Sequence, residues 1–430
     1  MRVLMFGWEF PPHISGGLGT ASYGLTKGMA TLDDLEVIFV VPKAWGDEDQ
    51  NTVRLIGANK VPVAFKHIYY KGTRQPVEKI EVSSKIIPYT DPEDFWKVTR
   101  SEINGHRLFI HTNKKGMVDF SGRYDGNLLD EIYKYSVVAS VIAEENEFDI
   151  IHAHDWLAYP AGIAAMEVSG KPLVIHVHAT DFDRSGGNVN PDVYRIEKTG
   201  MDAASKIITV SNLTRDIVIN RYGIHPDKVE TVYNAVEPVN ITEDIKADKG
   251  FDEKVVTFLG RITLQKGPEY FIEAAYKVLK KMDNVRFVMA GSGDMMERMM
   301  RRAASLKITD RFHFTGFLRG KDVYTMLTMS DVYIMPSVSE PFGISPLEAM
   351  QSNVPVIISK QSGVAEILTH AVKTDFWDID AMADAIYGIL NYPALASMFI
   401  KNGREEVIRL KWDNSARHVK DIYERVIWHK

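Results

Sequence analysis

The sequence predicts an α/β protein made of two doubly wound, parallel-sheet domains in tandem. Short, continuously apolar runs recur at 3–6, 37–41, 150–151, 173–177, 207–210, 255–259, 285–289, 332–335 and 354–358. Such runs are the signature of strands buried on both faces. Amphipathic stretches of helical period, among them 129–145 and 268–281, separate most of them, as strand–helix–strand units require. The third observation is a break. These strands are too many for one ordinary sheet, and at 238–253 the chain turns polar and acidic before a fresh strand begins at 255.

The first domain is therefore expected over 1–238 and the second over 239–412, with ligands at the carboxyl ends of strands facing a cleft. Within the first, a helical run from Thr20 to Ala30 follows the first strand. Residues 43–128 break the rhythm, being rich in Lys, Pro, Gly and aromatics, with partial alternation over 77–87 that suggests short antiparallel strands. They read as an elaboration of the first domain. In the second domain, Ser345 is placed as a helix N-cap with Pro346 in the first turn. Asp378 caps a helical run over 381–390. The tail, 413–430, carries apolar residues at Ala416, Val419, Ile422, Tyr423, Val426 and Ile427, one face of a helix.

Composition limits the function. The 430 residues include 51 Lys plus Arg against 57 Asp plus Glu, a net charge of −6. A mildly acidic chain has no electrostatic reason to seek nucleic acid. With no cysteine, disulfides, thiol nucleophiles and Cys-based metal sites are excluded. No apolar run approaches the ~18 residues that span a bilayer, and a cytoplasmic location is expected.

Four segments carry chemistry. Gly16-Gly17-Leu18-Gly19 follows the first strand; it is either a backbone cradle for an anion at a helix N-terminus or a tight turn. Two His-x-His units end strands, His152-Ala153-His154 followed by Asp155 and Trp156, and His176-Val177-His178. Residues two apart share a face, so zinc ligation competes with a structural reading in which His152 and His176 are hydrogen-bonded sheet residues. The latter is favoured, because no further His-plus-Asp set follows at later strand ends. His154 and His178 are expected to line the cleft. Gly260-Arg261 and Lys266 put two cations in a strand-to-helix loop, suited to a diphosphate. Glu340 and Glu348 flank a loop that enters a helix and can address two ends of one ligand, since carboxylates accept sugar hydroxyls. Asp-x-Asp occurs at Asp181/Asp183 and Asp378/Asp380, where helix capping explains the latter better than Mn²⁺.

In their order, and with Ser211, Asn212, Asn234, Gly291-Ser292-Gly293, Gly316 and Trp412 around them, these segments resemble the retaining nucleotide-sugar glycosyltransferases of the GT-B fold. The resemblance is to the glycogen and starch synthase group and the related family four, or group 1, glycosyltransferases. It implies two Rossmann-like domains facing a cleft, with the C-terminal helix crossing back to the first domain. It implies transfer of a glycosyl unit, glucose, from ADP- or UDP-glucose to an α-1,4-glucan; the alternative is a small sugar, phosphosugar or lipid acceptor. A metal-dependent hydrolase is the more distant rival. Catalytic roles would fall to His178, Arg261, Lys266 and Glu340. The donor would meet Gly16, Gly17, Gly19, Ser211, Gly260, Gly291, Phe342, Gly343, Ile344 and Glu348. His154, Asp155 and Trp156 would face the acceptor. The partners implied are a nucleotide-sugar donor and a carbohydrate, with no metal or other cofactor. The chain departs from the glycogen and starch synthase pattern at Ile14, where that group carries Lys, and at Tyr124-Asp125-Gly126-Asn127, which only partly echoes its Tyr-x-Asp-Asn element.

Overall fold

The computed structural model describes residues 1–14, 16–63, 113, 115–122, 124, 128–239, 245 and 249–428. The first half runs β1 (Arg2–Phe6), α1 (Gly17–Met29), β2 (Glu36–Val41), β3 (Arg54–Gly57), α2 (Leu128–Glu145), β4 (Ile150–His154), α3 (Asp155–Ser169), β5 (Leu173–Val177), α4 (Asp181–Ser185), α5 (Pro191–Ala203), β6 (Lys206–Thr209), α6 (Asn212–Tyr222) and β7 (Val229–Thr231). Its seven strands form one sheet in the order β3-β2-β1-β4-β5-β6-β7. Every described pairing in it is parallel.

The second half runs β8 (Lys254–Leu259), α7 (Pro268–Leu279), β9 (Val285–Ala290), α8 (Met296–Ser305), β10 (Phe312–Gly316), α9 (Lys321–Thr328), β11 (Val332–Met335), α10 (Ser345–Gln351), β12 (Val356–Ser359), β13 (Val372–Thr374), α11 (Ile379–Asn391), α12 (Pro393–Val407) and α13 (Trp412–Trp428). Its sheet has the order β10-β9-β8-β11-β12-β13 and is also parallel.

Both orders reverse direction once, between β1 and β4 and between β8 and β11. A doubly wound sheet opens a crevice at that point, because the helices leaving the two neighbouring strands go to opposite faces. The glycine loop and the Asp155 turn flank the first reversal. Gly260–Lys266 and the 336–343 loop flank the second. Each sheet is covered on both faces by apolar clusters, which is why the central strands are mostly hydrophobic.

The last helix belongs to the first sheet. Trp412, Ala416, Val419, Ile422 and Tyr423 of α13 join one cluster with Val3, Met5 and Phe39 of β1 and β2. Glycines make this approach possible: a Cβ on Gly24 would lie 2.2 Å from the Trp412 ring, and one on Gly28 2.5 Å from the Trp412 carbonyl oxygen.

Some expectations need correction. β3 is an edge strand of the main sheet, so the elaboration does not begin at 43; the alternation at 77–87 lies outside the described residues. Helix α1 starts at Gly17, inside the glycine motif. Ser345 is not the cap of α10: that position is Ile344, and the Ser345 hydroxyl pairs with Tyr333 at 2.8 Å. Asp378 does cap α11, accepting from the Ala381 amide at 2.9 Å. No described helix is long and apolar enough to cross a membrane.

Candidate active site

In the second domain the strand-end loops gather charge. Loop 260–267 leaves β8, and a 3-10 turn at Leu264–Lys266 lifts Lys266 beside the loop after β11. There Lys266 Nζ is paired with the Glu340 carboxylate, which also accepts from Ser337 Oγ at 3.2 Å. Glu340 is buried. Its backbone is fixed on both sides, donating to Gln361 O and accepting from Gly363 N, each at 2.9 Å. Arg261 is exposed, its guanidinium donating to Gln265 at 3.2 Å. One turn into α10, burial pushes the Glu348 carboxyl up to about 7.

Glycines set how tightly these loops pack. Gly291 has φ +142°, and a Cβ there would sit 1.8 Å from the Gly260 carbonyl oxygen. Gly260 and Gly291 therefore bring the loops after β8 and β9 together. Gly343, at φ +99°, packs against Met335 and Glu340. Phe342 does not line the cleft with its ring, which lies in the core. Ile344 touches the clusters of both domains.

In the first domain, Gly16 and Gly17 are exposed, and a Cβ on either would meet open space. Helix α1 starts there with no side-chain cap and no acid in its first turn. Gly19 is a packing residue, within 2.6 Å of Ile14 and 3.0 Å of Glu9 for an added Cβ. Trp156 is half-buried against the first core.

Asp155 was expected to face an acceptor; it is instead 4% exposed. It holds φ +62°, a strained conformation for a non-glycine residue that surrounding bonds must enforce. Its Oδ1 accepts from the amides of His178 and Ala179 at 3.3 and 3.4 Å. Its Oδ2 receives Arg184 Nη2 at 2.7 Å. Arg184 also donates to Ala179 O at 3.1 Å and to Glu197 at 3.2 Å. Burial pushes Glu197 up to about 7, against the lowering pull of Arg184. This network fixes the turn that presents His178, and sequence reasoning missed Arg184 and Glu197. The available signal was a lone Arg within an acidic loop after a strand end.

His154 is likewise not a cleft residue. It is fully buried, and its Nδ1 pairs with His178 Nε2 at 2.9 Å. Burial, and next the Arg184 charge, lowers His178 to about 3, so the imidazole is neutral. His152, His154, His176 and His178 form an array with ring centroids 4.3–5.4 Å apart. The expectation that His152 and His176 are hydrogen-bonded sheet residues holds in part: His152 Nδ1 pairs with the Tyr423 hydroxyl, but His152 Nε2 and both nitrogens of His176 are buried without a partner, as is His154 Nε2.

The two domains meet beside the site. Ser339, next to Glu340, donates to Asp183 of α4 at 2.6 Å. Glu366 accepts from the amides of Asn212 and Leu213 at 2.9 and 2.8 Å and from Tyr233 at 2.8 Å. Ser211 is buried and caps α6 through the Thr214 amide. An added Cβ on Gly363 would lie 2.4 Å from Ser211 Cβ. Ser211 is thus an interface and capping residue rather than a donor contact.

Residues 241–406 match the family model described as glycosyl transferases group 1, and 116–239 match glycosyltransferase family 4. An uncharacterized glycosyltransferase of Methanocaldococcus jannaschii is 31% identical, over 99% of this chain and 98% of that protein. A glycogen synthase of Mycobacterium tuberculosis is 22% identical, over 98% and 94%. Among solved structures, sucrose-phosphate synthase from Thermosynechococcus elongatus superposes with a TM-score of 0.69 at 17% identity, covering 100% of each chain. With two sheets that both reverse where these loops converge, and a full-length relative at that identity, the chain belongs to the group 1 glycosyltransferases of the GT-B fold.

Proposed function

We propose that the protein is a retaining glycosyltransferase that moves glucose from ADP- or UDP-glucose to an α-1,4-glucan. The observation that carries the donor half is the Lys266–Glu340 pair at the second sheet's reversal, with Arg261 beside it. Arg261 and Lys266 hold the diphosphate and stabilise the charge that grows on it as the bond to the anomeric carbon breaks. Glu340 accepts hydroxyls of the donor sugar, Glu348 those of the ribose, and the backbone at Gly343 and Ile344 meets the phosphates. On the same face as the leaving group, the acceptor oxygen forms the new bond to that carbon and its proton passes to the departing diphosphate. Neutral His178 hydrogen-bonds the sugar, and Asp155 and Arg184 hold His178 in place. Because Arg261 and Lys266 supply the positive charge, added Mg²⁺ or Mn²⁺ is not required for turnover. With a soluble acceptor, the reaction is expected in the cytoplasm.

The second reading is a small sugar, phosphosugar or lipid acceptor. Ile14 favours it: an apolar side chain packs on Gly19 where the glycogen and starch synthase group carries a cation. The test is a matrix of ADP-, UDP- and GDP-sugars against glycogen, simple sugars and sugar phosphates, read as nucleotide release. Release from ADP- or UDP-glucose stimulated by glycogen supports the first reading. Stimulation only by a sugar or sugar phosphate supports the second, and release from no donor under any acceptor refutes both.

A further inference from the structure

The buried histidines do more than the transfer reaction asks of them. His152 and His154 project from β4 on one face, and His176 stands beside His154 in register on β5. All three are 2% exposed or less. Each offers a ring nitrogen within 4.8 Å of those of the other two. Two of the rings are already oriented from behind: His152 Nδ1 is bonded to the Tyr423 hydroxyl of α13, and His154 Nδ1 to His178. Their Nε2 atoms, and both nitrogens of His176, have no partner. Buried polar atoms left unpaired are costly, and three stacked rings that carry such atoms, with ring nitrogens within 4.8 Å of one another, call for an occupant.

We propose that His152, His154 and His176 bind a late first-row transition metal ion, zinc(II) in the first instance. Three neutral imidazoles with one position left over are a known zinc donor set, and imidazole selects zinc, copper or nickel over magnesium or calcium. Anchoring Nδ1 on an outer partner while Nε2 faces the ion is the arrangement that metal-bound histidines adopt. The rings stand nearly parallel, with interplanar angles of 16–25°. Binding must rotate them until the nitrogens lie about 3.4 Å apart, as Zn–N bonds of ~2.1 Å require. Most of the movement falls to His176, whose ring has no partner and whose χ2 torsion is broad, while His152 and His154 turn only as far as their bonds to Tyr423 and His178 allow. The ion would tie β4, β5 and, through Tyr423, the last helix together directly behind His178. The other described His-containing group, His13 with Asp47 and Glu48, is a poorer candidate. His13 is bonded to Asp47 at 2.7 Å, and Glu48 accepts the backbone amides of Trp45 and Gly46.

The test uses the full chain, stripped by chelator, incubated with excess ZnCl₂ or CoCl₂ and desalted. One zinc per chain should remain, and the cobalt form should show ligand-field bands of a four-coordinate, imidazole-rich site. His176→Phe, which keeps a flat ring in the stack, should weaken uptake at least 100-fold, while His13→Ala leaves it unchanged. Should the Phe variant fail to fold, X-ray absorption on the zinc-loaded wild type decides: three imidazole ligands support the site and an oxygen-dominated shell overturns it. Wild-type protein that retains no zinc, or a folded His176→Phe chain that retains as much, also overturns the proposal.

Discussion

Replacing Arg184 by Met tests the account of how His178 is held. Arg184 lies between Asp155 and Glu197, whose side chains are 6% and 2% exposed. Removing one partner of a buried ion pair costs ~3–5 kcal/mol, because the charge left behind is unpaired. Here the cost belongs at the lower end. Asp155 keeps two backbone amides, and Glu197 keeps the Tyr222 hydroxyl and the Asp181 amide. The pH dependence is the sharper signature. Glu197 already sits near 7, raised by burial above the ordinary carboxylate range. A carboxyl whose folded pKa is raised stabilises the fold below its unfolded pKa, and that contribution is lost as pH climbs to the folded value. In the wild type the loss is complete just above 7; without Arg184 the folded value moves higher and the loss continues. Urea titrations should therefore give a deficit of ~1–2 kcal/mol near pH 6 that grows to ~3 kcal/mol near pH 8.5. Turnover should fall much more than donor affinity measured by calorimetry, since the diphosphate and ribose contacts lie in the other domain and only the His178 contact to the sugar is disturbed. A deficit under ~1 kcal/mol, equal at both pH values, refutes the reasoning.

Arg261→Ala should lower kcat by about 10²–10³ with an unchanged melting temperature, because the exposed guanidinium contributes charge and not packing. Lys266→Ala should lower both, as it strands the buried Glu340 carboxylate; equal melting temperatures in the two variants would contradict this. With Glu348 raised to about 7, its carboxylate is protonated as pH falls below that value and stops accepting ribose hydroxyls. Donor affinity should drop roughly tenfold from about pH 7.5 to about pH 6, and Glu348→Gln should flatten the profile. Gly24→Leu should destabilise by ~1–3 kcal/mol through overpacking on Trp412. Combining it with Trp412→Ala should cost less than the sum of the two single changes.

The central strands were legible because they are buried on both faces and so largely apolar, the histidines of β4 and β5 being the main exception. Four strands were not: β3, β7, β10 and β13, the outermost strands of the two sheets. An edge strand is short and half-solvated, so sequences such as RLIG, VET and VKT carry no continuous apolar run. The site divides in the same way. Arg261, Lys266, Glu340 and Glu348 could be located because strand-end loops sit where the sheet order reverses. Side-chain direction could not. Whether Asp155 faces solvent or its own domain depends on a left-handed backbone turn and on Arg184, 29 residues away. Likewise, whether Ser211 touches a ligand or a helix end depends on Gly363 of the other domain.

The position of α13 also bears on how the protein is made. One face of β1 and β2 is completed by Trp412, Val419 and Tyr423, so the first domain cannot close before the final helix exists. At ~5–20 residues per second, a chain leaving the ribosome waits roughly 20–80 s between the emergence of α1 and that of Trp412. Throughout that interval an apolar sheet face and the notch made by Gly24 and Gly28 stand open, while the second domain is translated in full. The second domain is thus able to fold first, although it is synthesised later. A nascent chain arrested before residue 412 should present that face to chaperones and proteases, and release of the last helix should withdraw it.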